Sequence, residues 1–234
     1  MPPIAAVLPP LPAGPAASGF DRLAWCYDAL AALVFGPALK RAQRATLAGL
    51  PPGAPHVLIL GGGTGWVLLE VLRRRPAATV LYLEASARML ARAQARLVRQ
   101  LPAAAPQVGF QHGTQADLAS ANQFDAVITF FVLDCIPSAE IGLALAPLQA
   151  TRKPGAPWLL ADFRPARGGW RRALLALMYT FFRISTGLRA RELPHLRREL
   201  ARLGLRRSQR EVFFGGAVEG SVFHEKNNRP AFKK

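Results

Sequence analysis

The stretch HVLILGGGTGWVLLEVLRR, residues 56–74, sets four glycines and a threonine between a short apolar run and an amphipathic pattern. Gly61, Gly62, Gly63, Thr64 and Gly65 therefore stand where a strand turns into a helix. Glycine at such a turn lets backbone approach a ligand closely and tolerates positive φ. The first amides of the following helix favour an anionic or strongly polar group. An ordinary turn does not ask for four glycines in five positions. Nineteen residues past Gly65, Glu84 closes a second apolar run, TVLYLE. A carboxylate there can accept both hydroxyl protons of a ribose, so these residues point to binding of a nucleoside cofactor.

Two kinds of cofactor use this geometry. A dinucleotide fingerprint, GxGxxG, counted from Gly61 would want a third glycine at residue 66, which is Trp66, too bulky for the close helix packing that motif needs. Counted as GxGxG, the run gives Gly61, Gly63 and Gly65 with Thr64 between, which suits S-adenosylmethionine.

These residues need elements to hold them. Apolar runs at 57–60, 79–84, 108–111, 125–133 and 157–163 read as strands, each followed by a helix-like stretch. That alternation predicts a parallel sheet covered on both faces. Ligands bind such sheets at the carboxyl ends of the strands, near the point where strand order reverses. Helical spacing also runs through 20–49, broken at Gly36 and Pro37, and through about 170–203. REVFFGG and SVFHEK, near the end, read as two further strands joined by a tight turn.

The expected organisation is a flexible proline-rich tail at 1–19, one domain over 20–226 and a basic tail at 227–234. Within the domain, 20–50 is a helical cover, 56–165 the cofactor-binding core, 168–204 a second helical cover and 205–226 the final strand pair.

A hydrophobic fraction of 51% excludes wholesale disorder. The proline-rich start lacks the pattern of a signal peptide. ALLALMYTFF, 173–182, is about half the length a membrane-spanning helix needs. Cys26 and Cys135 are far apart with no metal-ligand spacing, so no metal site or disulfide framework is expected, and a reducing cytoplasm is the simplest setting. The net charge is +16, and from Arg152 onward 19 Lys and Arg face 6 Asp and Glu. Such a field could draw in nucleic acid, anionic lipid or an acidic substrate. No aromatic-interleaved RNA-binding motif appears, so no specific nucleic-acid partner is expected.

HVLILGGGTG, LYLEASARMLARAQARL, FDAVITFFVLD and LLADF resemble the successive motifs of class I S-adenosylmethionine-dependent methyltransferases, over roughly 20–225. FDRLAWCYDAL, 20–30, is similar to the segment before the core in methyltransferases of the quinone-biosynthesis group. The resemblance implies a Rossmann-like α/β fold with a seven-stranded, mostly parallel sheet, helices on both faces and an antiparallel last strand. It further implies that Gly61, Gly63 and Gly65, with Gly62 and Thr64 in the same turn, approach the methionyl part of the cofactor. Glu84 would take the ribose, Ala85 and Met89 would lie near the adenine, and Thr129 and Phe130 beside the sulfonium. Thr114, followed by Gln115, stands where the family commonly offers an Asp to the adenine amino group. Ile59 stands where it commonly has an acid, two positions before the first glycine.

Methyl transfer asks mainly for placement, because the sulfonium already activates its methyl group. A protic acceptor also needs a base, for which Asp134, Asp162, Tyr27 and His112 are the candidates at the strand ends. Residues 168–194 carry an apolar run bracketed by arginines, which predicts a roof over a lipophilic or aromatic acceptor and peripheral contact with an anionic membrane face. The function expected is methyl transfer to a small acceptor. The alternatives are a catalytically inactive binding protein of the same fold, which Ile59 suggests, and a nicotinamide-dependent oxidoreductase.

Overall fold

The computed structural model describes residues 34–119, 121, 123–164 and 194–226. In chain order the elements are α1 (Ala38–Thr46), β1 (His56–Leu60), α2 (Trp66–Arg74), β2 (Thr79–Glu84), α3 (Ala87–Gln100), β3 (Val108–His112), β4 (Ala126–Phe130), α4 (Ile141–Ala150), β5 (Trp158–Phe163), α5 (Leu196–Arg202), β6 (Leu205–Phe213) and β7 (Val218–Glu225). Seven strands form one sheet in the order β3-β2-β1-β4-β5-β7-β6. β1 to β5 pair in parallel, and β7 runs antiparallel to both β5 and β6. This is the expected Rossmann-like sheet, and its strand order reverses between β1 and β4.

Strand alternation divides the core between the two faces of the sheet. Val57, Ile59, Val80, Tyr82, Ile128 and Leu159 pack with Val67 to Leu72 of α2, Ala93 and Leu97 of α3, and Ala42 of α1. Leu58, Leu60, Leu83, Val127, Trp158 and Leu160 pack instead with Ile141, Leu145 and Leu148 of α4 and with Leu196 and Leu200 of α5. A strand buried on both faces has no polar side to show, which is why these runs lack the alternation of a half-exposed strand.

Two elements depart from expectation. The apolar run 125–133 supplies a strand only to Phe130. Phe131 turns to φ +53, and a 3-10 turn, Leu133–Cys135, carries the chain across the carboxyl end of the sheet. At the far edge, β6 starts at Leu205, where the final strand pair was expected to begin but five residues before the REVFFGG segment read as its strand. Its LRRSQR segment has no apolar alternation because an edge strand needs none, and arginines there hinder pairing with another chain.

Candidate active site

The glycine loop is gripped from β2. The Gly61 amide donates to Leu83 O at 2.8 Å, and the Gly63 amide donates to Glu84 Oε2 at 2.9 Å. The Tyr82 hydroxyl donates to Gly63 O at 2.8 Å. Glu84 Oε1 accepts the Ser86 amide at 2.9 Å, and Ser86 caps α3 by accepting the Met89 amide at 3.2 Å. Ile59, in the place of the absent acid, is buried in the core. Tyr82 and Glu84 therefore hold the loop without a carboxylate on β1.

Each glycine is required for its own reason. A side chain at Gly61 would strike Val132, and one at Gly62 would lie 2.5 Å from the Tyr82 ring. Gly65, at φ +86, has its Cα 's missing substituent only 2.8 Å from the Ala93 backbone, so it serves the approach of α3. Gly63, at φ +62, has nothing within 4 Å of where a Cβ would be. That space opens into a cavity of about 550 Å³ at the carboxyl ends of β1, β2 and β4.

Of the expected cofactor residues, Gly61, Gly62, Gly63, Thr64, Glu84, Ala85, Met89, Thr114, Gln115 and Phe130 line this cavity. Gly65 does not figure in its lining, and neither does Thr129. Expected beside the sulfonium, Thr129 instead points into the opposite face of the sheet, fully buried, where its hydroxyl accepts from Trp158 Nε1 at 2.9 Å. The cause is strand alternation, since Phe130 and Thr129 face opposite ways. Thr114 is engaged locally: its amide and hydroxyl meet Asp117 Oδ2 at 2.8 and 3.2 Å, closing a capping box over Gln115–Asp117. His112, a candidate base, is tied by Nε2 to Ala85 O at 2.9 Å, and a carbonyl only accepts, so that nitrogen carries a proton.

Further residues line the cavity that the sequence reading did not assign to it. Pro37, Leu39, Lys40 and Gln43 come from α1 and its approach, Trp66 from α2, and Val132, Cys135 and Ile136 from the turn after β4. Lys40 and Arg44 lie over the Trp66 ring, 5.7 and 5.3 Å from its centroid. Tyr82 carried a legible signal, because it stands two residues before Glu84 and so on the same side of β2. Of the turn residues after β4, Val132 was read as strand, and Cys135 and Ile136 carried no signal.

The candidate bases have different fates. Tyr27 lies outside the described residues, as does the segment 20–30 on which the likeness to the quinone-biosynthesis group rests. Asp134 and Asp162 come together behind the cavity, at 5% and 4% exposure. Asp162 Oδ1 accepts the Phe163 amide at 2.8 Å, and its buried Oδ2 has no hydrogen-bond partner among the described residues. Burial, and then the charge of Asp134, push the Asp162 carboxyl well above the usual range. The Cys135 thiol lies 3.6 Å from Asp134 Oδ1. Burial and the charges of Asp134, Asp162 and Glu84 push that thiol up as well, so it stays protonated and is no nucleophile.

Residues 57–155 match the model of a family described as a methyltransferase domain. That match spans 99 of the 234 residues, and over it the chain is similar to a methyltransferase domain. No curated protein matches the chain in sequence. Among solved structures, the mitomycin 7-O-methyltransferase MmcR is similar with a TM-score of 0.65 at 17% identity, over 88% of this chain and 60% of that one. The magnesium protoporphyrin IX methyltransferase ChlM from Synechocystis PCC 6803, solved with bound S-adenosylmethionine, gives 0.58 at 18% identity, over 80% of this chain and 78% of that one. The [4+2]-cyclase SpnF gives 0.61 at 17% identity, over 79% and 80%. At such identities the likeness is one of fold, and the chain spans less than two thirds of MmcR. The residues matched by the family model include the glycine loop, Glu84 and the turn after β4.

The placement of Thr129 yields a prediction. Thr129→Val keeps the shape but removes the acceptor from a buried indole N–H, at a cost of about 1–3 kcal/mol. Denaturant unfolding should show that loss, while affinity for S-adenosylhomocysteine stays within twofold of the parent. A large loss of affinity in a fully folded variant would return Thr129 to the cofactor site.

Proposed function

We propose that this protein transfers a methyl group from S-adenosylmethionine to a small, lipophilic or aromatic acceptor, in a cytoplasmic setting. The observation that carries the reading is the Glu84 carboxylate, held beside a glycine loop whose Gly63 opens onto free space. The chain's own groups fit the cofactor. About 550 Å³ lies within the range of small-molecule sites. Glu84 accepts the Gly63 amide at Oε2 and the Ser86 amide at Oε1, and a carboxylate has lone pairs beyond these for a ribose hydroxyl.

When bound, S-adenosylmethionine supplies a methyl group activated by its sulfonium. The glycine loop and Glu84 fix where that methyl sits, and the acceptor must meet it in line. Phe131, at the cavity, stacks against Phe163 with ring centroids 5.1 Å apart, and Phe163 lies 5.1 Å from Phe35. These rings form an apolar wall beside the carboxyl ends of β4 and β5, which excludes water and suits an aromatic acceptor. If the acceptor is protic, the Asp134–Asp162 pair is the group placed to take its proton. Two further supports expected for this reading, the apolar run and the arginines of 168–194, lie outside the described residues, and the membrane contact rests on them alone. No helix among the described residues is long and apolar enough to cross a membrane. A nicotinamide cofactor fits less well, since Trp66 fills the place of the third fingerprint glycine.

Glu84→Ala should weaken S-adenosylhomocysteine binding at least tenfold, because hydrogen bonds to a charged group are worth about 1.5–3 kcal/mol. Calorimetric titration of both proteins checks it, and unchanged affinity would remove Glu84 from the site.

The same carboxylate sets a pH dependence. Burial raises the Glu84 carboxyl above its ordinary range, although the Ser86, Gly63 and Ala85 amides and the field of His112 pull it down. The folded state therefore holds this proton more tightly than the unfolded chain, so the group favours folding at low pH and loses that contribution as pH rises. Binding runs the other way, since only the ionised form accepts both hydroxyls. S-adenosylhomocysteine affinity should fall as pH is lowered from 8 to 5, starting above the ordinary carboxylate range. In Glu84→Gln the profile should be flat over that span.

Gly63→Val tests the loop itself. A β-branched residue at φ +62 costs at least about 1–2 kcal/mol of stability, and its methyls enter the open volume. Cofactor binding should be lost in a protein that still unfolds cooperatively. Normal binding by the folded fraction would assign Gly63 to the turn alone.

A further inference from the structure

The β6–β7 edge gathers more positive charge than the fold requires. On β7, Glu219 accepts from Arg207 Nη1 at 2.9 Å and Arg210 Nε at 2.8 Å, and Arg164 Nε lies 3.1 Å from the same carboxylate. Ser221 Oγ donates to it at 2.9 Å. Burial alone would raise the Glu219 carboxyl, but the bonds from Arg210 and Ser221 and the charges of Arg207 and Arg164 hold it below the usual range. Glu219 thus faces three guanidinium groups, and among the described residues the cavity beside them is lined by Arg164, Arg197, Arg198, Arg207 and Arg210 against Asp162 and Glu219.

The convergence is built by a defect in the strand. Arg207 and Arg210 are three residues apart and would face opposite sides of a regular strand. A bulge between Arg207 and Gln209 inserts Ser208, so Arg207 pairs with Phe223 and Arg210 with Ser221, two β7 residues on one face. Ser208 Oγ donates to Val222 O at 3.2 Å, tying the bulge to the ladder. Bulges re-aim side chains, and this one turns both arginines toward a second cavity of about 1020 Å³. Asp162 also lines that cavity, and Asp134, its partner, touches Cys135 of the cofactor cavity. The carboxyl pair thus stands between the two spaces.

We propose that this second cavity receives the acceptor's anionic group, a carboxylate or phosphate, with Arg164, Arg207 and Arg210 as its partners and the reacting end of the acceptor directed toward Asp162. The proposal rests on the methyltransferase reading and adds a charge requirement to the substrate. A guanidinium offers five N–H donors in a planar fork that matches carboxylate and phosphate oxygens, and Glu219 uses one nitrogen of each arginine. The positive surplus among the described lining residues is one that a carboxylate or phosphate would reduce. The cavity's position beside the carboxyl pair favours a small molecule over a polymer lying along the surface.

The test uses the full chain saturated with S-adenosylhomocysteine. Benzoate and inorganic phosphate are titrated by heteronuclear NMR against chloride at matched ionic strength, which separates the two anion classes from general screening. At least one of them should bind more than tenfold tighter than chloride, shifting the amides of β6 and β7. Arg207→Met and Arg210→Met should each weaken that binding at least tenfold with S-adenosylhomocysteine affinity unchanged within twofold. Glu219→Gln, which removes the competing carboxylate, should tighten it. Where a Met variant loses S-adenosylhomocysteine binding, Arg→Lys at the same position replaces it and should still weaken the anion, because an ammonium cannot make the fork. Binding no tighter than that of chloride, or equal binding by parent and variants, overturns the proposal. A parent that fails to bind S-adenosylhomocysteine overturns the methyltransferase reading instead, and the anion titration is then read on the protein alone.

Discussion

The bond on which the site depends runs from the Gly63 amide to the Glu84 carboxylate. It ties the loop after β1 to the end of β2, and the Ser86 amide ties the same carboxylate to the start of α3. One side chain thus sets the relative position of a turn and two helix starts. Tyr82 repeats the grip from below by holding Gly63 O while its ring lies under Gly62. A tightly folded loop with no side chains of its own cannot pack itself into place, so its geometry has to come from the strand beside it. Ile59 then follows without contradiction: with β2 holding the loop, β1 is free to be apolar throughout.

Much of this was legible in the sequence, and the limits have physical causes. The first two strands and Glu84 were readable because parallel central strands are buried on both faces and leave continuous apolar runs. The fourth strand was overextended because Phe131, Val132 and Leu133 are as apolar as the residues before them. Leu133 is buried and Phe131 and Val132 half-buried by the turn across the sheet end rather than by the ladder, and composition does not separate those two situations. The sixth strand was cut short for the opposite reason, since an edge strand rich in arginine has no hydrophobic signature. Thr129 was misplaced by analogy of position, when alternation along β4 makes one residue of any neighbouring pair turn away from the cavity. The pairing of Asp134 with Asp162 depends on that same misread turn, so each was visible as a candidate but not as a partner of the other.

The distribution of charge in the site runs against that of the chain. A protein with a net charge of +16 places Glu84, Asp134 and Asp162 close enough to act together on the Cys135 thiol. On the proposed function this has a direct consequence. A sulfonium is cationic and the thioether left after transfer is neutral, so an acidic surrounding holds the substrate form of the cofactor more firmly than the product form. Full ionisation of all three carboxyls in a buried space would be costly. The raised Asp162 carboxyl, which holds its proton more tightly, lessens that cost while the surroundings stay acidic. On the proposed function the pair can take up a proton from a protic acceptor only while one carboxylate remains ionised, so its ionisation and its capacity to act as a base are the same property. The basic edge of β6 and β7 lies on the far side of that pair, so an acceptor reaching from one to the other would cross from positive to negative field. Its orientation would then be fixed by electrostatics before its nucleophile met the methyl group, which is the part of the work that placement alone has to do.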